Sequence, residues 1–326
     1  MSDMTWRTGW FVATAGVALA CGGDRASHVP AGAAVEAISL LGDSLVRPPL
    51  SDSLRAAHEA QLATARAAYE RAPENVDSIV WLGRRTAYLG RYREAIEIYT
   101  RGLATHAGEP HLLRHRGHRF ITIRQLDSAV LDLTAAARAA ARQPDEVEPD
   151  GLPNARNQPR GTLRTNIQYH LGLARYLLGD YERAAIAFLR TRRTAENDDM
   201  RVAAGYWLYL TARRASLPEE AREVMAWVRP DLDVIENHTY HRLLLLYAGR
   251  LPVDSILPGG TPATLDDVTA AYGVAAWHML NGRGPEAAAL LDRILAARER
   301  WPAFGYIAAE ADRARATPLS ARSPRT

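Results

Sequence analysis

VDSIVWLGRRTAYLGRYREAIEIYTRGLATHAGE, residues 76–109, runs straight into PHLLRHRGHRFITIRQLDSAVLDLTAAARAAARQ, residues 110–143, and the two stretches match at a spacing of 34 residues. Gly83 aligns with Gly117, Tyr92 with Leu126, Ala95 with Ala129 and Tyr99 with Leu133. A third copy, TNIQYHLGLARYLLGDYERAAIAFLRTRR (165–193), carries Leu171-Gly172, Gly179, Tyr181, Ala184 and Phe188 at the same offsets. A period of this length means that each unit is one supersecondary element, able to bury its apolar face only against its neighbours. Two antiparallel helices approach closely only where their side chains are small. Gly83, Gly117 and Gly172 meet that need on the first helix of each unit, and Ala95, Ala129 and Ala184 on the second. Gly90 and Gly179 fall where the first helix must end, and glycine takes a left-handed C-terminal cap at least cost.

The pattern resembles the tetratricopeptide repeat, with the third copy the nearest match. The resemblance implies an all-α solenoid of helical hairpins, about five or six repeats over residues 51–315. Later copies keep the period less strictly: Ala221 lies in GYWLYLTARRASLPEEAREVMAWV and Ala287 in YGVAAWHMLNGRGPEAAALLDRILAARERWP. Between them Pro252 enters the expected second helix of a copy, which must then be short or displaced. Ser53–Arg71 reads as a preceding helix, Thr264-Leu-Asp-Asp267 as a helix start, and Pro302–Arg315 as a closing helix over the end of the stack.

Outside the repeats the chain divides further. Residues 1–20 hold an apolar run, Trp10 to Ala20, with the length of a signal-peptide core and small residues at its end. Ala18-Leu19-Ala20-Cys21 resembles a bacterial lipobox, which implies that Cys21, the single cysteine, is the lipidation site. The uncharged stretch would span only about 24 Å as a helix, short of the roughly 30 Å of a bilayer core, so a spanning anchor is not expected. Gly22 rather than Asp after the cysteine favours the outer over the inner membrane, by the same resemblance. Residues 21–50 read as a lipid-anchored tether, 316–326 as a disordered tail, and 144–164 (PDEVEPDGLPNARNQPRGTLR) as a loop insert between the second and third repeats. With one cysteine no internal disulfide can form.

Net charge is +3, and all forty basic residues are arginine. The charge is unevenly placed: Arg84 to Arg124 holds nine arginines against three glutamates, whereas Glu219 to Asp267 holds nine acidic residues against four arginines. Catalytic and metal readings carry little. Leu41-Gly42-Asp43-Ser44-Leu45 resembles the nucleophile block of GDSL esterases, but no Asp-x-x-His block accompanies it. His111, His115 and His118 share a helix face at metal-ligand spacing, yet Arg114, Arg116 and Arg119 interleave them and oppose a bound cation. Neither a metal nor another cofactor is expected, nor an enzymatic activity.

By the family's ligand-facing positions, the resemblance puts Asp77, Arg84 and Tyr88, then His111, Arg114 and His118, then Asn166, Tyr169 and Tyr176 on the inner wall. That set suits an acidic protein or peptide partner rather than nucleic acid. The expected function is a lipid-anchored, non-enzymatic scaffold for protein–protein interaction at the bacterial cell envelope. The alternative is a surface lipoprotein that binds a glycan or small ligand for an outer-membrane uptake system, with Tyr169, Tyr176, Tyr206 and Trp207 as its stacking platform. The acidic half of the insert, Asp145, Glu146, Glu148 and Asp150, is expected to fold back over the basic wall through weak, exposed pairs.

Overall fold

The computed structural model describes residues 34–257 and 259–316. Cys21, the signal-peptide segment, the first part of the expected tether and nearly all of the expected tail lie outside them. The described chain is all-α apart from two small strand pairs. Its helices are α1 (Asp52–Arg71), α2 (Val76–Tyr88), α3 (Tyr92–Thr105), α4 (Pro110–Thr122), α5 (Leu126–Ala140), α6 (Leu163–Leu178), α7 (Tyr181–Thr194), α8 (Asp198–Arg214), α9 (Pro218–Trp227), α10 (His238–Tyr247), α11 (Leu265–Leu280), α12 (Gly284–Ala296) and α13 (Phe304–Ala316). Consecutive helices pack as antiparallel hairpins: α2 with α3, α4 with α5, α6 with α7, α8 with α9, and α11 with α12. After α10 the second helix is reduced to a 3-10 turn, Val253–Ser255, behind Pro252. No helix of the described residues is long and apolar enough to cross a membrane.

The repeat glycines explain the closeness of the crossings. A Cβ on Gly83 would lie 2.3 Å from the Tyr99 ring, on Gly117 2.7 Å from Leu133 Cγ, and on Gly172 2.7 Å from Phe188 Cε1. Each partner stands sixteen positions on, so one crossing geometry is used three times. Ala95, Ala129 and Ala184, on the second helices, are fully buried at the same crossings.

The array does not stay open. Gly90 ends α2 in a left-handed conformation (φ 73°), and one period later Arg124 takes the same conformation (φ 66°) without being glycine. A side chain there costs roughly 1–2 kcal/mol, and here it is held by long-range partners. The Arg124 guanidinium donates to Glu310 of α13 at 2.9 and 2.7 Å and to the Trp301 carbonyl at 2.9 Å. The arginine side chain is 2% exposed and the glutamate 1%, so the closing helix is tied into the second hairpin by a buried ion pair. Two residues on, Asp312 receives Arg214 at 2.6 and 2.8 Å and the Tyr272 hydroxyl at 2.9 Å. Helix α13 thus packs on α11 and α12 and reaches back to α6, rather than only covering the last repeat.

Within the tether expected over 21–50, the described residues are folded onto the body. β1 (Val35–Ile38) and β2 (Ser44–Val46) form an antiparallel hairpin with Ala37 opposite Leu45. Both side chains point into the core, and Glu36 is buried, accepting from Arg47 Nε at 2.7 Å and the Arg93 amide at 3.0 Å. Leu40 N–H donates to Glu310 at 3.1 Å and Trp301 Nε1 donates to the Val46 carbonyl at 2.7 Å, so the hairpin seals the same junction as Arg124. The GDSL-like residues are the turn and second strand of this hairpin.

Candidate functional site

Closing the array leaves a cavity of about 530 Å³ on the inner wall. One side comes from α2, α4 and α6; the other comes from α8, the segment before α10, and the start of α11; residues 302–304 form the floor. The insert supplies the remaining wall. Its strands β3 (Val147–Glu148) and β4 (Gly161–Thr162) pair antiparallel, which turns Glu148 inward. Glu148 is 6% exposed. It lies 3.2 Å from Arg114 Nε and 2.9 Å from His115 Nε2, and accepts from Asn166 Nδ2 at 2.7 Å. Arg84 donates to the Pro149 carbonyl at 2.9 Å and Arg85 to that of Gly151 at 3.0 Å. A Cβ on Gly151 would fall 1.4 Å from the Tyr88 hydroxyl, so glycine is what lets the backbone come this near. His111 adds a latch, its two nitrogens 2.7 Å from Glu109 and 2.8 Å from Glu146.

The insert therefore covers the basic wall, through the half-exposed pair of Glu146 with His111 as expected but also through Glu148, which is buried rather than exposed. Burial alone would raise the Glu148 carboxyl; Arg114 and His115 outweigh it and hold the group well below the usual carboxylate range. His115 is pushed the other way, kept neutral first by burial and then by Arg114. Neutral His115 accepts from Arg114 NH1 on Nδ1 at 2.9 Å, while its Nε2 lies 2.9 Å from Glu148 without hydrogen-bond alignment. Removing one partner of a buried pair of this kind is costly, so Glu148 ties this part of the insert to the basic wall.

Two further imidazoles face the cavity. His118 and His170 stand 4.3 Å apart, ring centre to ring centre, with Phe304 5.5 and 5.9 Å away. His170 Nδ1 donates to the Asn166 carbonyl at 2.7 Å. Burial, with Arg114 next, lowers its pKa to about 3; burial, with Arg119 and His170 next, keeps His118 well below its ordinary value. Both are neutral at pH 7. His111, His115 and His118 thus turn to three different partners, and among the described residues no group of His, Cys, Asp and Glu is placed to hold a metal ion.

Six of the nine residues read from the sequence line the cavity: Arg84, Tyr88, Arg114, His118, Asn166 and Tyr169. Asp77 and His111 lie outside it. Tyr176 is fully buried in the core, its hydroxyl 2.7 Å from that of Tyr272. Tyr206 and Trp207, expected as stacking surfaces, are 0% and 1% exposed and pack in the aromatic core, so that platform does not exist. The sequence reading missed Arg119, His170, Arg160, Glu236, Tyr240, Asp266 and Phe304, all on the cavity wall. The uneven charge of the two halves was the one available signal for Arg119, Glu236 and Asp266.

No protein-family model and no curated protein matches this sequence. Among solved structures the chain is similar to YrrB, described as a TPR protein with an unusual peptide-binding site. The identity is 14% and the TM-score 0.41, over 71% of this chain and 91% of YrrB. A likeness at that level bears on no feature of the cavity, and the hairpin packing stands on this chain's own contacts.

Proposed function

We propose that this protein is a non-enzymatic binding scaffold whose inner cavity receives an acidic group of a protein or peptide partner. One observation carries the reading: Arg84, Arg114 and Arg119 gather at one end of the cavity with only Glu148 against them among the cavity carboxylates they approach. All three guanidiniums act on the buried Tyr99 phenol between them. Arg119 forms no ion pair among the described residues; its guanidinium rests 5.6 Å from the Tyr92 ring. Surplus positive charge in a partly dehydrated cavity favours an anionic ligand. Two of the groups that could serve as acid and base are engaged with protein partners, Glu148 with Arg114 and Asn166, and His115 with Arg114. Arg119→Gln with Arg84→Gln should reduce recovery of the crosslinked partner from native membranes by about tenfold or more. Unchanged recovery would remove the cavity from consideration. Arg114 is a poor choice for that test, because its loss strands Glu148.

The envelope location rests on the sequence, through the lipobox-like segment and Cys21. With acylation at Cys21 the scaffold is held at the membrane, the outer one by the Gly22 criterion. Cys21→Ala should then abolish incorporation of labelled palmitate and release soluble protein or uncleaved precursor. Membrane retention without any lipid label contradicts the assignment.

A second reading, capture of a glycan or other small ligand, is favoured by the shape of the site. The insert and residues 302–304 bound the cavity, and Tyr169, Tyr240 and Phe304 remain on its wall although Tyr176, Tyr206 and Trp207 do not.

A further inference from the structure

The cavity's charges are not simply basic; they are sorted. At the α2 and α4 end, Arg84, Arg114 and Arg119 face one carboxylate, Glu148, while His118 and His170 are neutral. Away from α2 and α4, Arg160 is the single cavity cation beside Glu236 and Asp266, and it also receives Asp150 from the insert. It lies 3.3 Å from Asp150 and 2.7 Å from Glu236, and Asp266 at the start of α11 has no ion-pair partner among the described residues. Asp266 is exposed on the cavity side, close enough to Tyr240 to act on its phenol. The segment bearing Glu236 is itself held firmly: Asp199, fully buried, accepts from the amides of Ile235, Glu236 and Asn237 at 2.8, 2.7 and 3.0 Å. One cavity thus carries surplus positive charge on one wall and surplus negative charge on the other.

From this sorting we infer that the ligand is dipolar: it places an acidic group against Arg84 and Arg119 and an ammonium or guanidinium group against Asp266. This deepens the proposed function and rests on it. A purely anionic ligand would satisfy one wall and leave Asp266 facing it with like charge, which costs affinity. A ligand bearing both charges satisfies both, and the aromatic and apolar wall between them, His118, Phe304, Tyr169 and Met200, suits the carbon chain that separates them. The same chemistry occurs in a free amino-dicarboxylate and in a partner segment that sets Glu or Asp near Lys or Arg.

Calorimetric titration of the full chain tests the inference and separates the two sources. The free-molecule probes are 2-aminoadipate and its N-acetyl derivative, which lacks the cation. The peptide probes are Ac-Glu-Glu-Ala-Lys-NH2 and the same peptide with norleucine for lysine. In at least one pair the amine-bearing member should bind about tenfold more tightly, the effect of one good charge contact. That preference should vanish in Asp266→Asn, which removes the charge at an exposed first-turn position without changing the side chain's shape, and Arg119→Gln should weaken both members. Whichever pair responds identifies the source. If acidic probes bind equally with and without the amine, or if Asp266→Asn leaves the preference intact, the inference is overturned while the acidic-ligand reading stands. If none of the four probes binds the wild-type chain, both fall.

Discussion

Replacing a crossing glycine by alanine tests the helix packing on which the cavity depends, provided it is paired with a glycine that has room. Gly172 of α6 and Gly205 of α8 are both interior to first helices of hairpins. At Gly172 a new Cβ would lie 2.7–2.8 Å from three carbons of the Phe188 ring, roughly 1 Å inside ordinary contact. That ring is fully buried, with Tyr169 at 6.0 Å and Trp207 stacked at 6.4 Å, so it cannot step aside freely. At Gly205 the nearest atoms would be Val224 Cγ1 at 3.6 Å and Leu244 Cδ1 at 3.7 Å, which is normal van der Waals contact. Both substitutions gain about 0.8–1 kcal/mol of helix propensity, and only Gly172→Ala incurs overpacking of about 1–3 kcal/mol. Gly205→Ala should therefore be neutral to stabilising, Gly172→Ala destabilising by up to about 2 kcal/mol, and the gap between them about 1–3 kcal/mol. Urea denaturation with matched slopes measures that gap. Equal stabilities, or Gly205→Ala the weaker of the two, would refute the crossing geometry.

Glu148→Gln should lower stability by about 3 kcal/mol at pH 7, since it leaves Arg114 buried without its counter-charge. Because the folded-state pKa of Glu148 is depressed, its contribution is complete above the unfolded value of about 4.5 and is lost as pH falls below it. The difference between wild type and variant should therefore shrink in denaturation at pH 3.5, and a constant difference would mean that the carboxylate is not the source. Arg124→Met alone should cost about 3–5 kcal/mol, whereas Arg124→Met with Glu310→Leu should recover most of it, because replacing a whole buried pair is cheap and breaking one is not. Additive losses in that double-mutant cycle contradict the proposed closure.

The hairpins were legible because one physical need, close approach of two helices, recurs at a fixed spacing: Gly83, Gly117 and Gly172 each face the residue sixteen positions on. Where the fold relies on partners far away in sequence, no local pattern announced it. Strands of four and three residues carry little period of their own, and β1 and β2 are set by contacts with Arg93, Trp301 and Glu310. Arg124 was visible as a departure, standing where the period calls for glycine, but its partner lies 186 residues on. The inner-wall positions held only in part. The return of α11 and α13 fills the concave side near Tyr176, and the insert takes Arg114 and Asn166 for Glu148. His118 and His170 meet only because α4 and α6 pack side by side across the insert.

If the proposed function holds, partners meet this protein in the cavity and not on its outer surface. A photo-crosslinking amino acid placed at Thr269, half-buried on the cavity wall, or at Leu131, 72% exposed on α5 away from the cavity, decides the matter in native membranes. Binding in the cavity gives a specific adduct from position 269 that Arg119→Gln with Arg84→Gln suppresses, and none from position 131. An adduct from 131 with nothing from 269 would contradict it.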